Sequence, residues 1–174
     1  MPGGSLLTLP NLISLSRLFL APAFFVLPRV EARVALVIAA AASDMLDGWL
    51  ARRLGSKSRF GAILDPVADR VFVLTALLAL VLHGTLSPAQ VAIVLSRDIM
   101  TTLGFFVASS VSWLRPVEFR ARKPGKLVTV LQMLTLLVAL MIPARAGMMV
   151  VLTGLASVVA VADYTMVLWR ERVR

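Results

Sequence analysis

Residues 44–69 read DMLDGWLARRLGSKSRFGAILDPVAD. Asp44 and Asp47 precede a short basic connection holding Arg52, Arg53, Lys57 and Arg59, and Asp65 and Asp69 follow it. On both sides the sequence is apolar enough for a bilayer. A carboxylate at the centre of a membrane helix costs about 2.5 to 3.5 kcal/mol, so four of them together imply cations and a function. The stretch therefore reads as two helix ends meeting at one face of a membrane.

Composition sets the same frame. The 174 residues are 59% hydrophobic and 16% charged, with a mean hydropathy of +0.91. Soluble domains average about 45 to 50% apolar and about 25% charged, so the chain reads as an integral membrane protein. The absence of cysteine excludes disulfides and thiolate metal sites. Met1 to Pro10 lacks Lys and Arg, and no secretory signal peptide is expected.

Apolar stretches of spanning length fall at about residues 11–28, 34–52, 61–82, 88–112, 126–143 and 147–168. The expected fold is all-α, a single membrane domain over residues 1–174 with six transmembrane helices. Pro10, Pro28, Pro88, Pro124 and Pro143 mark expected helix edges. Twelve Lys and Arg residues fall in the connections and terminus of one side, against Arg29, Arg33 and Arg145 on the other. The positive-inside rule then places both termini and the acidic stretch at the cytoplasmic face. The net charge of +9 is mostly this asymmetry. It suits anionic headgroups and phosphates, and without a soluble module to present it, nucleic acid is not an expected partner.

On this map Asp44 and Asp47, three residues apart, share a helix face. Asp65 and Asp69, four apart, share a face at the start of the next helix. Converging carboxylates select hard divalent cations such as Mg2+, Mn2+ or Ca2+. Two such ions would balance four aspartates, in an arrangement suited to phosphoryl transfer. Gly48 and Ala51 lie in register with Asp44 and are small enough for close approach. Arg52 offers a fork to a diphosphate, and Gly61 lets backbone approach a ligand.

The run Asp44-x-x-Asp47-Gly48-x-x-Ala51-Arg52, eight residues, Gly61, three residues, Asp65, three residues, Asp69 resembles the signature of the CDP-alcohol phosphatidyltransferase family. The likeness extends to Leu9-Pro10-Asn11-Leu12, to Arg17, and to Gly125-Lys126-x-x-Thr129-x-x-Gln132. It implies that an acceptor hydroxyl attacks the phosphorus of CDP-diacylglycerol and CMP leaves. It also implies that Asp44, Asp47 and Asp65 hold two divalent cations, Mg2+ or Mn2+, while Asp69 touches a metal and takes the hydroxyl proton. Asp44, Gly48, Ala51, Arg52 and Gly61 would receive the cytidine diphosphate. A homodimer in the inner membrane is a further implication.

The acceptor is expected to bear a phosphate, because the basic segment from Arg115 to Lys126 would otherwise lack a target. Lys126, at a helix start after Gly125, leads Arg115, Arg122 and Lys123 as its seat. Glycerol 3-phosphate ranks first, giving phosphatidylglycerol phosphate. Phosphatidylglycerol follows closely, because Arg70 and the pair Arg97-Asp98 stand where phosphatidylglycerol phosphate synthases commonly show Lys and Arg-Glu. Inositol phosphate is a third acceptor, and a small cation-coupled carrier is the non-enzyme alternative. Arg97 and Asp98, adjacent on one helix, are expected on different faces. His83 is expected in an extracytoplasmic turn outside the chemistry, and Asp163 as a structural polar contact.

Topology is directly testable. Cysteines introduced at Lys57 and Lys123 should react with an impermeant thiol reagent only from the cytoplasmic side, and one at His83 only from the other. Labelling of positions 57 and 83 from the same side would refute the six-span map.

Overall fold

In a computed structural model the backbone is described for residues 9–54, 61–110 and 123–172. The side chains of residues 9–11, 47, 48, 51, 52, 54, 62, 63, 105, 107–110, 123 and 167–172 lie outside that description. Every regular element among the described residues is helical: α1 (Leu9–Val26), α2 (Val30–Leu54), α3 (Gly61–Leu82), α4 (Pro88–Val94), α5 (Ser96–Ser110), α6 (Lys123–Met141), a 3-10 turn (Pro143–Arg145) and α7 (Ala146–Arg172). The five marker prolines fall at helix edges. Pro10 and Pro124 are second residues, Pro88 and Pro143 first residues, and Pro28 lies in the α1–α2 connection.

One element departs from the sequence reading. The helix expected over 88–112 is interrupted at Leu95, which takes φ −89° and ψ −1°. The Val94 carbonyl there accepts the side-chain amide of Gln132 at 3.0 Å. A side chain from α6 thus bonds a backbone carbonyl beside the interruption. The amino end of α4 is set by Ser87 and Gln90. The Ser87 hydroxyl accepts from the Gln90 amide, and the Gln90 side chain accepts from the Ser87 amide.

The chain divides into two compact units, residues 1–85 and 86–174. In the first, α1 packs against both α2 and α3. Ala68, Phe72, Ala76, Leu77, Ala79 and Leu80 of α3 are buried, at the spacing of one helix face. Three of the six, Ala68, Ala76 and Ala79, are alanines, small enough for backbones to approach closely. Phe72 meets Phe24 of α1 edge-to-face, with centroids 6.2 Å apart. Val67, Val71, Leu74, Leu78 and Leu82 of α3 are exposed. A helix apolar on both its packed and its open face suits hydrocarbon rather than water.

The carboxyl end of α3 closes on Gly84, whose φ of +70° is the left-handed conformation open to glycine. The Gly84 amide donates to the Val81 carbonyl and the Thr85 amide to the Leu80 carbonyl, a Schellman closure. This closure presents His83 to Arg33 near the start of α2. His83 Nδ1 lies 2.6 Å from the Ala79 carbonyl, and Nε2 lies 3.0 Å from Arg33 Nη2. A carbonyl cannot donate and a guanidinium cannot accept, so Nδ1 carries the proton and Nε2 accepts. Arg33 is 6% exposed. It donates through Nε to the Leu27 carbonyl at 2.9 Å and lies 5.8 Å from the Phe24 ring centroid. His83 is in a turn, as the sequence suggests, but it is a structural partner of a buried cation.

In the second unit α6 and α7 form a hairpin through the 3-10 turn, and α4 and α5 both pack on α7. Val94, Val128, Leu136, Ala139 and Val150 are buried. Thr135 donates to the Leu131 carbonyl at 2.7 Å and so accepts from Thr153 of α7 at 2.9 Å. Residues 124–141 and 143–166 are long and apolar enough to cross a membrane, with mean hydropathies of 1.7 and 1.9.

Replacing Arg33 by Met should lower the thermal midpoint in detergent or nanodiscs, because the Leu27 carbonyl and His83 Nε2 lose their donor at a cost of about 1 to 3 kcal/mol. His83→Gln, which keeps an acceptor, should lose less. An unchanged midpoint for Arg33→Met would show that this end of the unit is held without the cation.

Candidate active site: aspartates gathered on a buried arginine

Helix α1 carries one charged residue over its described length, Arg17, and it is completely buried. A buried guanidinium needs hydrogen-bonding partners, and here two of them are carboxylates. They come from two different helices: Arg17 Nη1 donates to Asp44 Oδ1 of α2 at 3.0 Å and to Asp69 Oδ1 of α3 at 2.7 Å. One nitrogen thus bridges two carboxylates 25 residues apart in sequence. One turn earlier on α1, Ser14, also fully buried, donates its hydroxyl to Asp65 Oδ1.

The two rungs define direction. Ser14 pairs with Asp65 and Arg17 with Asp69, so sequence advances the same way along both helices and α1 and α3 run parallel. At the other end of the unit Arg33, early in α2, meets His83, just after α3. Helix α2 therefore runs antiparallel to α3, with the aspartates at one end and the Arg33–His83 pair at the other. This is the arrangement the short basic connection implies.

The predicted cluster is assembled to the following extent. Asp44, Asp65 and Asp69 are brought to one face of α1. The Asp44 side chain is 48% exposed and that of Asp69 22% exposed, so the carboxylates grade from solvent inward to the buried arginine. Asp47, Gly48, Ala51 and Arg52 lie on the helical backbone of α2 after Asp44, and their side chains are outside the described residues. Gly61 is the buried first residue of α3. Arg115 and Arg122 lie outside the described residues, as does the side chain of Lys123.

Among the described residues no three acidic or histidine side chains form a metal-holding group. The pair Asp44 and Asp69 nevertheless converges on a single positive nitrogen, which marks a place where two carboxylate oxygens accept one cation. That donor set is all oxygen and fits a hard divalent ion. Asp65 lies one turn before Asp69 on α3 and is held from the same face of α1 by the Ser14 hydroxyl.

The second unit holds a separate polar group. Arg97 Nη1 donates to Asp98 Oδ1 at 2.9 Å. The two residues pair despite being adjacent, against the expectation from helical periodicity, because the arginine is long enough to fold back over its neighbour. Gln132 Nε2 donates to Asp98 Oδ2 at 2.6 Å. A Cβ on Gly125 would lie 2.7 Å from Arg97 Nη2, so the guanidinium rests on the glycine at the first turn of α6. Lys126 follows, with its side chain exposed. Asp163 is on α7, half-buried.

Sequence reasoning named the aspartates and left out Ser14 and Arg17 as site residues. The available signal was the isolation of Arg17 in an apolar helix and the three-residue offset of a second polar residue.

The fold and site define a helical protein with acidic side chains gathered at one end of a three-helix unit. A family model for CDP-alcohol phosphatidyltransferase matches residues 7–168, and the chain belongs to that family. Relatives named "CDP-diacylglycerol--glycerol-3-phosphate 3-phosphatidyltransferase" are similar to it. The one from Yersinia enterocolitica is 37% identical over 141 residues, covering 72% of this chain and 77% of its own. The one from Aquifex aeolicus is 41% identical over 103 residues, 56% of this chain and 58% of its own. The Pseudomonas fluorescens protein is 42% identical over 104 residues, 55% of this chain and 53% of its own. The chain thus spans somewhat more than half the length of the latter two.

Because Arg17 is buried against both carboxylates, Asp69→Asn should lower metal-free stability by about 1 to 3 kcal/mol. Asp44→Asn should cost less, since half of its carboxylate remains in solvent. Chemical denaturation without divalent cations checks the order. Equal or reversed losses would show that Arg17 is not anchored chiefly by Asp69.

Proposed function

We propose that this chain transfers a phosphatidyl group from CDP-diacylglycerol to glycerol 3-phosphate, releasing CMP and forming phosphatidylglycerol phosphate. The observation that carries the reading is the convergence of Asp44 and Asp69, from opposite ends of the eight-position signature, on a single cationic nitrogen. The names of the relatives support this acceptor.

Asp44, Asp47, Asp65 and Asp69 would hold two divalent cations, Mg2+ or Mn2+. Such ions, when bound, supply Lewis-acid stabilisation of phosphate oxygens and of the departing CMP. The residues of the chain do the rest. Gly48, Ala51, Arg52 and Gly61, with Asp44, receive the cytidine diphosphate: the small residues permit close approach and Arg52 offers its fork. An alcohol is a poor nucleophile at neutral pH, so its proton must be taken as it attacks, and Asp69 is the carboxylate assigned to that transfer. The bond from the acceptor oxygen to phosphorus forms as the bond to the CMP oxygen breaks. Lys126, at the first turn of α6, offers the acceptor phosphate an exposed ammonium beside the positive end of the helix dipole. Arg115, Arg122 and Lys123 share the basic segment from which further contacts would come.

The two long apolar helices and the exposed apolar face of α3 support a membrane location. We read the whole chain as six spans with both termini and the active site cytoplasmic, functioning as a homodimer with lipid entering sideways. A second reading, cardiolipin synthesis with phosphatidylglycerol as acceptor, is favoured by Arg70 and Arg97-Asp98. A cation-coupled carrier would need acidic residues on the far side as well, and the sequence has no second acidic cluster there.

Purified protein with CDP-diacylglycerol and Mg2+ or Mn2+ should release CMP with glycerol 3-phosphate and not with serine. Release with phosphatidylglycerol alone would establish the cardiolipin reading, and release with serine alone would defeat the phosphate seat. Asp69→Asn should abolish release while retaining metal and CDP-diacylglycerol. Lys126→Met should raise the KM for glycerol 3-phosphate about tenfold or more while leaving that for CDP-diacylglycerol nearly unchanged, the loss expected of one charge-assisted contact.

A further inference from the structure

The aspartates do not wait for a metal as an uncompensated cluster. Arg17 Nη1 stands within 3.0 Å of Asp44 Oδ1 and 2.7 Å of Asp69 Oδ1, and no part of the Arg17 residue reaches solvent. Ser14 supplies a donor to Asp65 on the same face of α1. Helix α1 therefore carries an internal set of donors matched to three carboxylates that the signature assigns to metal.

We propose that Arg17 is a resident counter-ion which a divalent cation must displace from Asp44 and Asp69, so that α1 both assembles the site and sets how tightly it loads. The inference rests on the reading that these aspartates take divalent ions, and it goes beyond it by assigning a role to a residue outside the acidic set.

Three physical points carry it. First, both oxygens facing Arg17 come from different helices, so the guanidinium acts as a cross-link of α2 to α3 through α1. Without it, like charges on the two helices would repel in surroundings of low dielectric. Secondly, a guanidinium is permanently charged and cannot yield by losing a proton. Entry of a divalent ion at the same oxygens sets two positive centres side by side unless the side chain moves. Thirdly, one of its contacts is open to exchange. Its hold on Asp44 is at a half-exposed carboxylate, 48% open to solvent, so that the outer contact breaks first and exposes the inner one. Neutralisation passes from the guanidinium to the metal, with no covalent change and no proton transferred.

The test is metal binding, read without turnover. Free Mn2+ is measured by electron paramagnetic resonance in detergent-solubilised or nanodisc protein lacking CDP-diacylglycerol. Arg17→Met should bind Mn2+ about tenfold or more tightly than the unsubstituted protein, because the cation then need not break the guanidinium's contacts with Asp44 and Asp69, attractions worth several times the thermal energy. The same variant should have the lower thermal midpoint without metal and gain more from Mn2+. Arg17→Lys, which keeps the charge as a compact ammonium without the fork, should fall between the two. Where Arg17→Met does not fold, the unsubstituted protein still decides the matter. Its arginine side-chain 15N spectrum, titrated with diamagnetic Mg2+, should show the Arg17 resonance move at saturation, and an unmoved resonance overturns the exchange.

Equal or weaker Mn2+ binding by folded Arg17→Met also overturns it, showing the arginine to be an organiser that metal needs in place. The two readings fail separately. Absence of CMP release with the Mn2+ trend intact removes only the transferase assignment, and CMP release with the trend absent removes only the counter-ion exchange.

Discussion

The arrangement of the first unit depends on one buried positive charge. A guanidinium without solvent contact is tolerated only when paired and hydrogen-bonded. Arg17 meets that requirement with carboxylates from two other helices. The pairing fixes α1 against α2 and α3 at one depth, and the Ser14–Asp65 bond one turn away fixes the rotation of α1 about its axis. Once those are set, Phe24 faces Phe72 two turns along, and the alanines of α3 fall where helices approach closely. In a bilayer, where apolar packing between helices gains little over packing against lipid, such polar contacts carry more of the specificity than they would in water.

The same unit is pinned at its other end by a different chemistry. Among the described residues Arg33 has no acidic hydrogen-bond partner, and a carbonyl, an imidazole nitrogen and an aromatic face satisfy it instead. The two arginines divide the labour. One neutralises charge at the acidic end, where a catalytic cation is proposed to act. The other holds a turn using acceptors that bring no net charge.

The meeting of Asp44, Asp65 and Asp69 on α1 was readable because carboxylates are costly in apolar surroundings and their spacing maps directly onto helix faces. The helix edges were readable because proline lacks an amide hydrogen and fixes its own φ. The break at Leu95 was not: it sits where Gln132 reaches the Val94 carbonyl across 38 residues, and local propensity carries no trace of such a contact. The pairing of Arg17 escaped for the same reason. A lone arginine in an apolar helix signals a partner but does not name it, and the partners lie 27 and 52 residues away. The Arg97–Asp98 pair escaped because helical periodicity describes where Cβ atoms point, and a long side chain can fold back across that boundary.

That last pair bears on how a conservative difference acts. Asp98 uses one oxygen for Arg97 and the other for Gln132 of α6, while the Arg97 guanidinium lies against Gly125. The distances close around a short side chain: a glutamate would carry the carboxylate one methylene further and require Arg97 or Gln132 to move with it. The aspartate therefore sets where the guanidinium rests, and the glycine is the residue whose missing Cβ leaves room for it. Position 98 and position 125 are coupled through Arg97, although neither periodicity nor spacing connects them. A substitution that looks minor by charge thus relocates a cation at the amino end of α6, beside the Lys126 proposed to meet the acceptor.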